Sequence, residues 1–277
     1  MADTLIARAL DSLKLGHNLE NWHIATYRNI AVSVAVGVPL FSYWVSNYRA
    51  WLALGRGGLP PNPLGWLVQA CLHPISRSDT RAPAPWTLED TEELWGTAGR
   101  KSFFIDGRIP PRRHGARPNV PSYVAPQRQT NEQVHPAMLD KMESYLSDLV
   151  AANPTTYQLK PSGLEGPFRN AIWLADNFNT PMYLRGTKGE IVHPHDEGST
   201  HLVLSLSDAT RAIELGWAER HKLAGAWGEV IPWGFVLVYA PRDGDDFEIW
   251  KNFVLAAVKF NAEAVGSGDT SVITPAI

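Results

Sequence analysis

The densest chemistry in this 277-residue chain is the run HPHDEGSTH at 193–201, which holds three of its nine histidines. Side chains alternate along a strand, so His193 and His195 share one face. His201 joins them or not according to hairpin register: pairing 195 with 201 puts all three on one face, and pairing 195 with 200 turns His201 away. Clustered imidazoles suit acid/base catalysis, because neighbouring rings titrate near neutrality and can be held in different protonation states. They also suit ligation of zinc or iron, with Asp196 or Glu197 supplying a carboxylate. Hydrogen bonding in a loop is the third use open to them. A second constellation, GWAERHKLAG at 216–225, sets Arg220 and His221 beside Trp217, a mixture suited to anchoring a flat, oxygenated ligand. The chain has no G-x-S-x-G elbow, phosphate-binding glycine loop or H-E-x-x-H pair. Cys71 has no neighbours that would activate it and is expected to be a buried spectator.

Composition narrows the partners. Hydrophobic residues make up 44% and charged residues 19%, enough for one substantial core. Twenty-five Lys and Arg against 28 Asp and Glu give a net charge of -3, which argues against nucleic acid as a partner. A single cysteine excludes an internal disulfide and points to an intracellular, reducing compartment. Residues 100–128 concentrate Arg100, Lys101, Arg108, Arg112, Arg113, Arg117 and Arg128 against Asp106 alone. Such a run can face an anionic ligand or a lipid surface, or pair with acidic residues elsewhere.

The elements that must position these groups are legible mainly in the C-terminal half. Apolar periodicity predicts a helix over 136–151, begun by Pro136 and stopped by Asn153-Pro154. Strands are expected at 156–160, 171–174, 182–185, 190–195, 201–206 and 233–240, a helix capped by Ser207 and stopped by Gly216, and a last helix from Asp243 or Asp245 to about Val265. The order gives an α+β fold, a mainly antiparallel sheet with helices on one face. Eleven of 21 prolines lie between 60 and 126, where loop-rich chain and one helix around 87–95 are expected. At the N-terminus, a short amphipathic helix over 3–15 ends at Gly16. The uncharged block from Ile30 to Val45 is 16 residues long and broken by Gly37 and Pro39, short of the roughly 20 that span a bilayer. Tyr43, Trp44 and Tyr48 nevertheless suit a membrane interface, and a buried helix is the alternative.

Taken in order, ARP at 116–118, PQRQ at 126–129, GEIVHPHDEGSTHLVLSLSDA at 189–209, GWAERHKLAG at 216–225 and YAPR at 239–242 resemble the luciferase-like domain of fungal luciferases, over roughly residues 48–260. The resemblance implies a helical region at 1–47 containing the segment 30–45, a luciferase-like domain at 48–265 and a tail at 266–277. It implies an enzyme of fungal secondary metabolism that needs no cofactor and no metal and ionises an enolised phenolic polyketide. The anion then closes a ring through a C–O bond or isomerises. The alternatives are addition of dioxygen to a hydroxylated pyrone or phenol, which is the chemistry of fungal luciferases, and binding of an aromatic metabolite without turnover. His193 and His195 become the base and acid, oriented by His201 or Glu190. Arg117, Arg128 and Arg220 support the anion, Trp173, Trp217 and His221 line the pocket, and Glu165, in the matching SGLE at 162–165, orients an arginine. The compartment implied is the cytoplasm or the endoplasmic-reticulum membrane.

Overall fold

The computed structural model describes residues 2–87, 95–226, 231–266 and 272–275, and the side chains of 2–21, 23, 25 and 106 lie outside that description. The helix expected around 87–95 therefore falls mostly outside the described residues, as do the side chains of the 3–15 stripe. The chain forms two units, Met1–Ala53 and Leu54–Ile277.

The first unit is one helix, α1 (Ala2–Leu52), with Pro39 inside it. Gly16 does not end it, and neither Gly37 nor Pro39 breaks it. A helix stops at glycine when the chain turns left-handed there, and Gly16 and Gly37 instead continue the helix at a cost of about 1 kcal/mol each. Pro39 forgoes one backbone hydrogen bond, and a helix of 51 residues keeps the rest. Ile30, Val34, Phe41 and Trp44 are exposed on it.

The second unit contains a six-stranded sheet: β1 (Tyr157–Ser162), β2 (Gly166–Leu174), β3 (Glu190–Pro194), β4 (Thr200–Val203), β5 (Ala218–Arg220) and β6 (Phe235–Val238). Their order is β1-β2-β3-β4-β6-β5 and every pairing is antiparallel. The α+β expectation holds. The strand expected at 182–185 is instead a single 3-10 turn, Met182–Leu184, since Pro181 sets its start and Tyr183 and Leu184 are driven into the core. The short strand β5 has only three residues and carries no alternation long enough to read.

Four helices accompany the sheet among the described residues. Helix α2 (Pro63–Leu72) lies in the proline-rich stretch expected to be loop; Asn62 caps it by accepting from Gly65 N at 3.0 Å, and Pro63 opens it. Cys71, on this helix, is exposed rather than buried, because α2 buries only Gly65 and Gln69. Helix α3 (Pro136–Ala152) buries Met142, Tyr145, Leu146 and Leu149 as its periodicity predicts. Helix α4 (Leu206–Glu214) is capped by Ser205, not Ser207, through Asp208 N at 3.1 Å. Helix α5 (Gly244–Ala264) is capped by Asp243, which accepts from Asp246 N at 2.9 Å. Helix α5 lies against β3 and β4, where Trp250 Nε1 donates to Thr200 Oγ1 at 2.9 Å and Asn261 Nδ2 to Val203 O at 3.1 Å. Phe253, Phe260, Val254 and Val258 of α5 are fully buried, each worth about 1.5–3 kcal/mol of transfer free energy.

Candidate functional site

The β3–β4 hairpin sets the site. His193 lies directly opposite His201, and His195 N bonds Ser199 O at 2.8 Å, leaving residues 196–198 as the turn. This register, 195 against 199, is neither of the two expected, yet it brings all three histidines to one face because 193, 195, 199 and 201 have the same parity. The turn requires Gly198: its φ is +96°, and an added Cβ would sit 2.5 Å from Val134 Cγ1. With Trp250 of α5 bonded to Thr200, the histidines occupy the opposite face of the sheet.

Each imidazole is buried and each has one nitrogen accounted for by the fold. His201 Nε2 is 3.2 Å from Gln127 Oε1, and its Nδ1 is 3.2 Å from His193 Nε2. His193 Nδ1 lies 2.5 Å from Glu190 Oε1, a contact that is close but not aligned as a hydrogen bond. His195 Nδ1 meets Ser199 Oγ at 2.9 Å and Glu197 Oε1 at 3.4 Å. Its Nε2 faces Glu165 Oε1 at 3.3 Å, again without hydrogen-bond alignment. Glu165 stands in the β1–β2 turn. Glu190 organises that turn by accepting from Ser162 Oγ at 2.7 Å and Gly163 N at 2.8 Å, and Ser162 Oγ in turn accepts from Glu165 N at 2.9 Å.

Electrostatics separates these groups. Burial works to raise Glu165, but His195, Arg128 and His193 hold it well below the usual carboxylate range. Burial alone would lower His195, and the Glu165 and Glu197 carboxylates overcome it, lifting the ring to about 9. His201 is pushed well below 6.5 by burial and by the neighbouring histidines. His221 falls to about 3, chiefly through burial and then through His193. A charged imidazole thus sits beside two neutral ones.

A cavity of about 220 Å³ opens on the cluster, lined by Glu165, His193, His201 and His221 among apolar neighbours that include Leu59, Leu164, Leu223 and Phe235. It is smaller than the roughly 300–1,000 Å³ of pockets for drug-sized ligands, so one flat ring system fills it. Phe235 stacks on His201 with centroids 4.7 Å apart. His221 Nδ1 accepts from Leu223 N at 3.1 Å, which puts the proton of the neutral ring on Nε2.

The site residues expected from sequence divide sharply. Glu165, Glu190, His193, His195, His201 and His221 come together, with Arg128 behind them: it pairs with Glu165 and donates to Leu54 O at 3.1 Å and to Arg56 O. Glu165 orienting an arginine is thus realised in this pair. Arg117, Trp173, Trp217 and Arg220 do not line the cavity. Arg117 donates to Ala218 O at 3.0 Å and to Ile213 O. Trp217 is buried in the core with its Nε1 donating to Pro111 O at 2.6 Å. Trp173 lies under Lys160, whose Nζ is 5.0 Å from its ring centroid. Arg220 is fully buried and donates to Trp233 O at 3.0 Å, Ala82 O at 2.6 Å and Pro83 O at 3.0 Å. The polar atoms of Arg117, Trp217 and Arg220 are consumed by the protein's own carbonyls, while Trp173 Nε1 is buried without a hydrogen-bond partner. The basic run largely pairs internally, with Lys101 to Glu263 and Arg113 to Glu132.

Gln127, Glu197 and Ser199 orient the cluster but were not assigned these parts from sequence. Gln127 lies inside PQRQ, and the signal was available in that motif. As for a metal, Glu165, His193, His195 and His201 each offer a ligand atom, all within 4.8 Å of one another. Asp196, by contrast, is exposed and engaged with Arg169 at 2.6 Å, and Glu197 touches the far side of His195.

Fold and site define an α+β sheet protein with a buried histidine–glutamate cluster on the sheet face opposite α5. Residues 188–257 match the model of the Luciferase domain. Over 269 residues the chain is 26% identical to the luciferase of Armillaria ostoyae, covering 91% of this chain and 95% of the relative. It is 25% identical to the luciferase of Armillaria mellea over 83% of this chain and 85% of the relative, and 25% identical to that of Neonothopanus nambi over 87% and 89%. No solved structure matches. These similarities run over most of the chain and agree with the resemblance to fungal luciferases that the ordered motifs carry.

Proposed function

We propose that the chain is an enzyme that ionises an enol or phenol of a flat phenolic polyketide in the Glu165–His193 cavity. The redox-neutral outcome is ring closure: the oxygen anion forms a C–O bond to a neighbouring alkene or carbonyl carbon, and the proton it lost is returned to the adjacent carbon or oxygen. Isomerisation follows from the same proton transfer without the bond. The observation that carries this reading is the pairing of a charged histidine with neutral ones around one largely apolar cavity, the pattern by which one site runs acid and base steps together. His193, which faces the cavity, is the base. His195 sits behind it as fixed positive charge for the anion, and His221 Nε2–H, also lining the cavity, is the donor. Glu190, Gln127 and Arg128 position these groups.

A second reading, addition of dioxygen to the same anion, is favoured by the similarity to relatives that are luciferases. Purified protein incubated with hydroxylated styryl-pyrones and prenylated aromatics, with product mass and oxygen uptake recorded together, separates the two. An isomer of unchanged mass without oxygen uptake supports ring closure; a gain of two oxygens supports oxygenation. Binding without any product overturns both. His193→Ala is expected to lower turnover by about 10²–10⁴-fold in either case.

The reading extends to membrane association inside the cell. The stretch Thr26–Leu52 of α1 is long and apolar enough to cross a membrane by length and composition. At 1.5 Å per residue its 27 residues reach about 40 Å, more than the roughly 30 Å of a hydrocarbon core. Such an anchor keeps an enzyme beside poorly soluble aromatic substrates.

A further inference from the structure

The hydrogen bonds around the cluster fix where its protons and lone pairs lie. Gln127 Nε2 donates to Arg220 O at 3.1 Å and reaches Glu219 Oε1 at 3.4 Å, so the amide cannot be reversed and its Oε1 must face His201. His201 therefore carries its proton on Nε2 and turns a lone pair on Nδ1 towards His193. On His193, the carboxylate 2.5 Å from Nδ1 calls for the proton on that nitrogen, which leaves Nε2 of a neutral ring as a lone pair, 3.2 Å from His201 Nδ1. Ser199 Oγ gives its own hydrogen to Glu197, so it accepts from His195 Nδ1, and the lone pair of a neutral His195 is on Nε2. That atom is buried, has no hydrogen-bond partner and faces Glu165 Oε1.

With neutral rings, four acceptor atoms, His193 Nε2, His195 Nε2, His201 Nδ1 and Glu165 Oε1, thus converge in one buried space. Positive charge is required there. A proton on His195 meets only Glu165, and one on His193 Nε2 meets only His201 Nδ1. A metal cation meets all four. Of the remaining nitrogens, His195 Nδ1 and His201 Nε2 have a hydroxyl and an amide oxygen as partners and His193 Nδ1 lies 2.5 Å from a carboxylate oxygen, close to the outer arrangement that orients metal-bound histidines.

We propose that Glu165, His193, His195 and His201 bind one first-row divalent transition-metal cation. Three imidazoles and a carboxylate match the ligand preferences of that class better than those of calcium or magnesium. Around an ion with bonds of about 2.1 Å, ligand atoms stand roughly 3.0–4.2 Å apart. Here they are 3.2, 3.3 and 4.0 Å apart for three pairs and within 4.8 Å throughout, so closure asks for small side-chain shifts only. Glu165, His193 and His201 also line the cavity, so the exposed side of the ion would face a substrate oxygen. This rests on the reading above and deepens it: the cation would supply the charge assigned there to His195 and would acidify a bound phenol or enol, with His193 as a ligand rather than the base. It departs from the metal-free expectation because the decisive carboxylate comes from a turn 28 residues before His193.

The test is direct binding, read without substrate. The full chain in detergent is stripped with chelator and titrated with Co²⁺ alone, following visible absorption, calorimetric stoichiometry and the thermal midpoint, with Zn²⁺ as competitor. One equivalent bound, displaced by Zn²⁺, with a raised midpoint and affinity lowered at least 100-fold in both Glu165→Gln and His195→Gln, is expected. Glu165→Gln retains hydrogen-bonding capacity towards Arg128 and is the variant expected to fold unchanged. Binding that is absent, or equal in wild type and Glu165→Gln, overturns the site. A chain that binds Co²⁺ but transforms no phenol retains this site and loses the catalytic reading; one that turns over fully after stripping does the reverse.

Discussion

Arg220→Ala is expected to unfold the domain more readily while leaving the cavity chemistry intact. Arg220 is completely buried; burial and then Arg77 push its guanidinium towards losing charge, Asp79 opposes them, and among the described residues its hydrogen bonds go to carbonyl oxygens. What holds it is three carbonyl oxygens, of Trp233, Ala82 and Pro83, and the face of Trp86 at 4.6 Å. Each hydrogen bond to a charged donor is worth about 1.5–3 kcal/mol. The carbonyls are not equivalent: Trp233 is buried and its oxygen would be stranded, whereas Ala82 and Pro83 are half-buried and can turn to water. Allowing for that, the loss is about 3–5 kcal/mol. At roughly 2–4 °C per kcal/mol for a domain of this size, the thermal midpoint falls by about 6–20 °C. Denaturant and thermal unfolding of the variant measure it. Arg220→Lys recovers little, because one ammonium cannot reproduce the planar fork. A variant within 1 kcal/mol of wild type, or one with normal stability and a KM raised tenfold, refutes the clasp and restores Arg220 to the substrate.

Two further outcomes follow from the same geometry. Trp217→Phe removes the bond to Pro111 O and part of a buried ring, and is expected to cost about 1–3 kcal/mol in denaturant unfolding with KM unchanged; a raised KM at full stability would return Trp217 to the pocket. Chain expressed with α1 intact is expected to stay in the membrane pellet through carbonate extraction. A variant with Ile30, Val34 and Val38 changed to Asp is expected to be released, and wild type in the soluble fraction would remove the anchor.

Where periodicity was long, the sequence was readable. Helices α3 and α5 and the strands β3, β4 and β6 follow from apolar spacing and from Pro136 and Asp243, because one buried face dictates the pattern. Helix α2 was missed since ten residues with Pro at the start look like loop unless Asn62 is recognised as a cap. Met182–Leu184 misled because three apolar residues pack equally well as a strand or a 3-10 turn. The histidines were legible as a group, but their partners were not: Glu165 reaches His195 across two hairpins, and Gln127 comes from a loop 74 residues before His201. Arg117, Trp217 and Arg220 lie away from the cavity and clasp backbone carbonyls, a distinction sequence does not carry, since polar side chains that cradle ligands have the same composition.

The pairing of His193 with His201 makes the length of the intervening segment part of the catalytic specification. Seven residues separate the two, an odd number, which keeps both on one side of the pleat. Inserting or deleting one residue in the 196–198 turn would reverse the facing of one strand and expel His201 to the side covered by α5, even if every side chain in the cluster were retained. A two-residue change preserves facing. Relatives and engineered variants can therefore be sorted by counting: hairpins that differ by an even number of residues retain the capacity for the three-histidine site, and those that differ by an odd number must rebuild it with a bulge or do other chemistry.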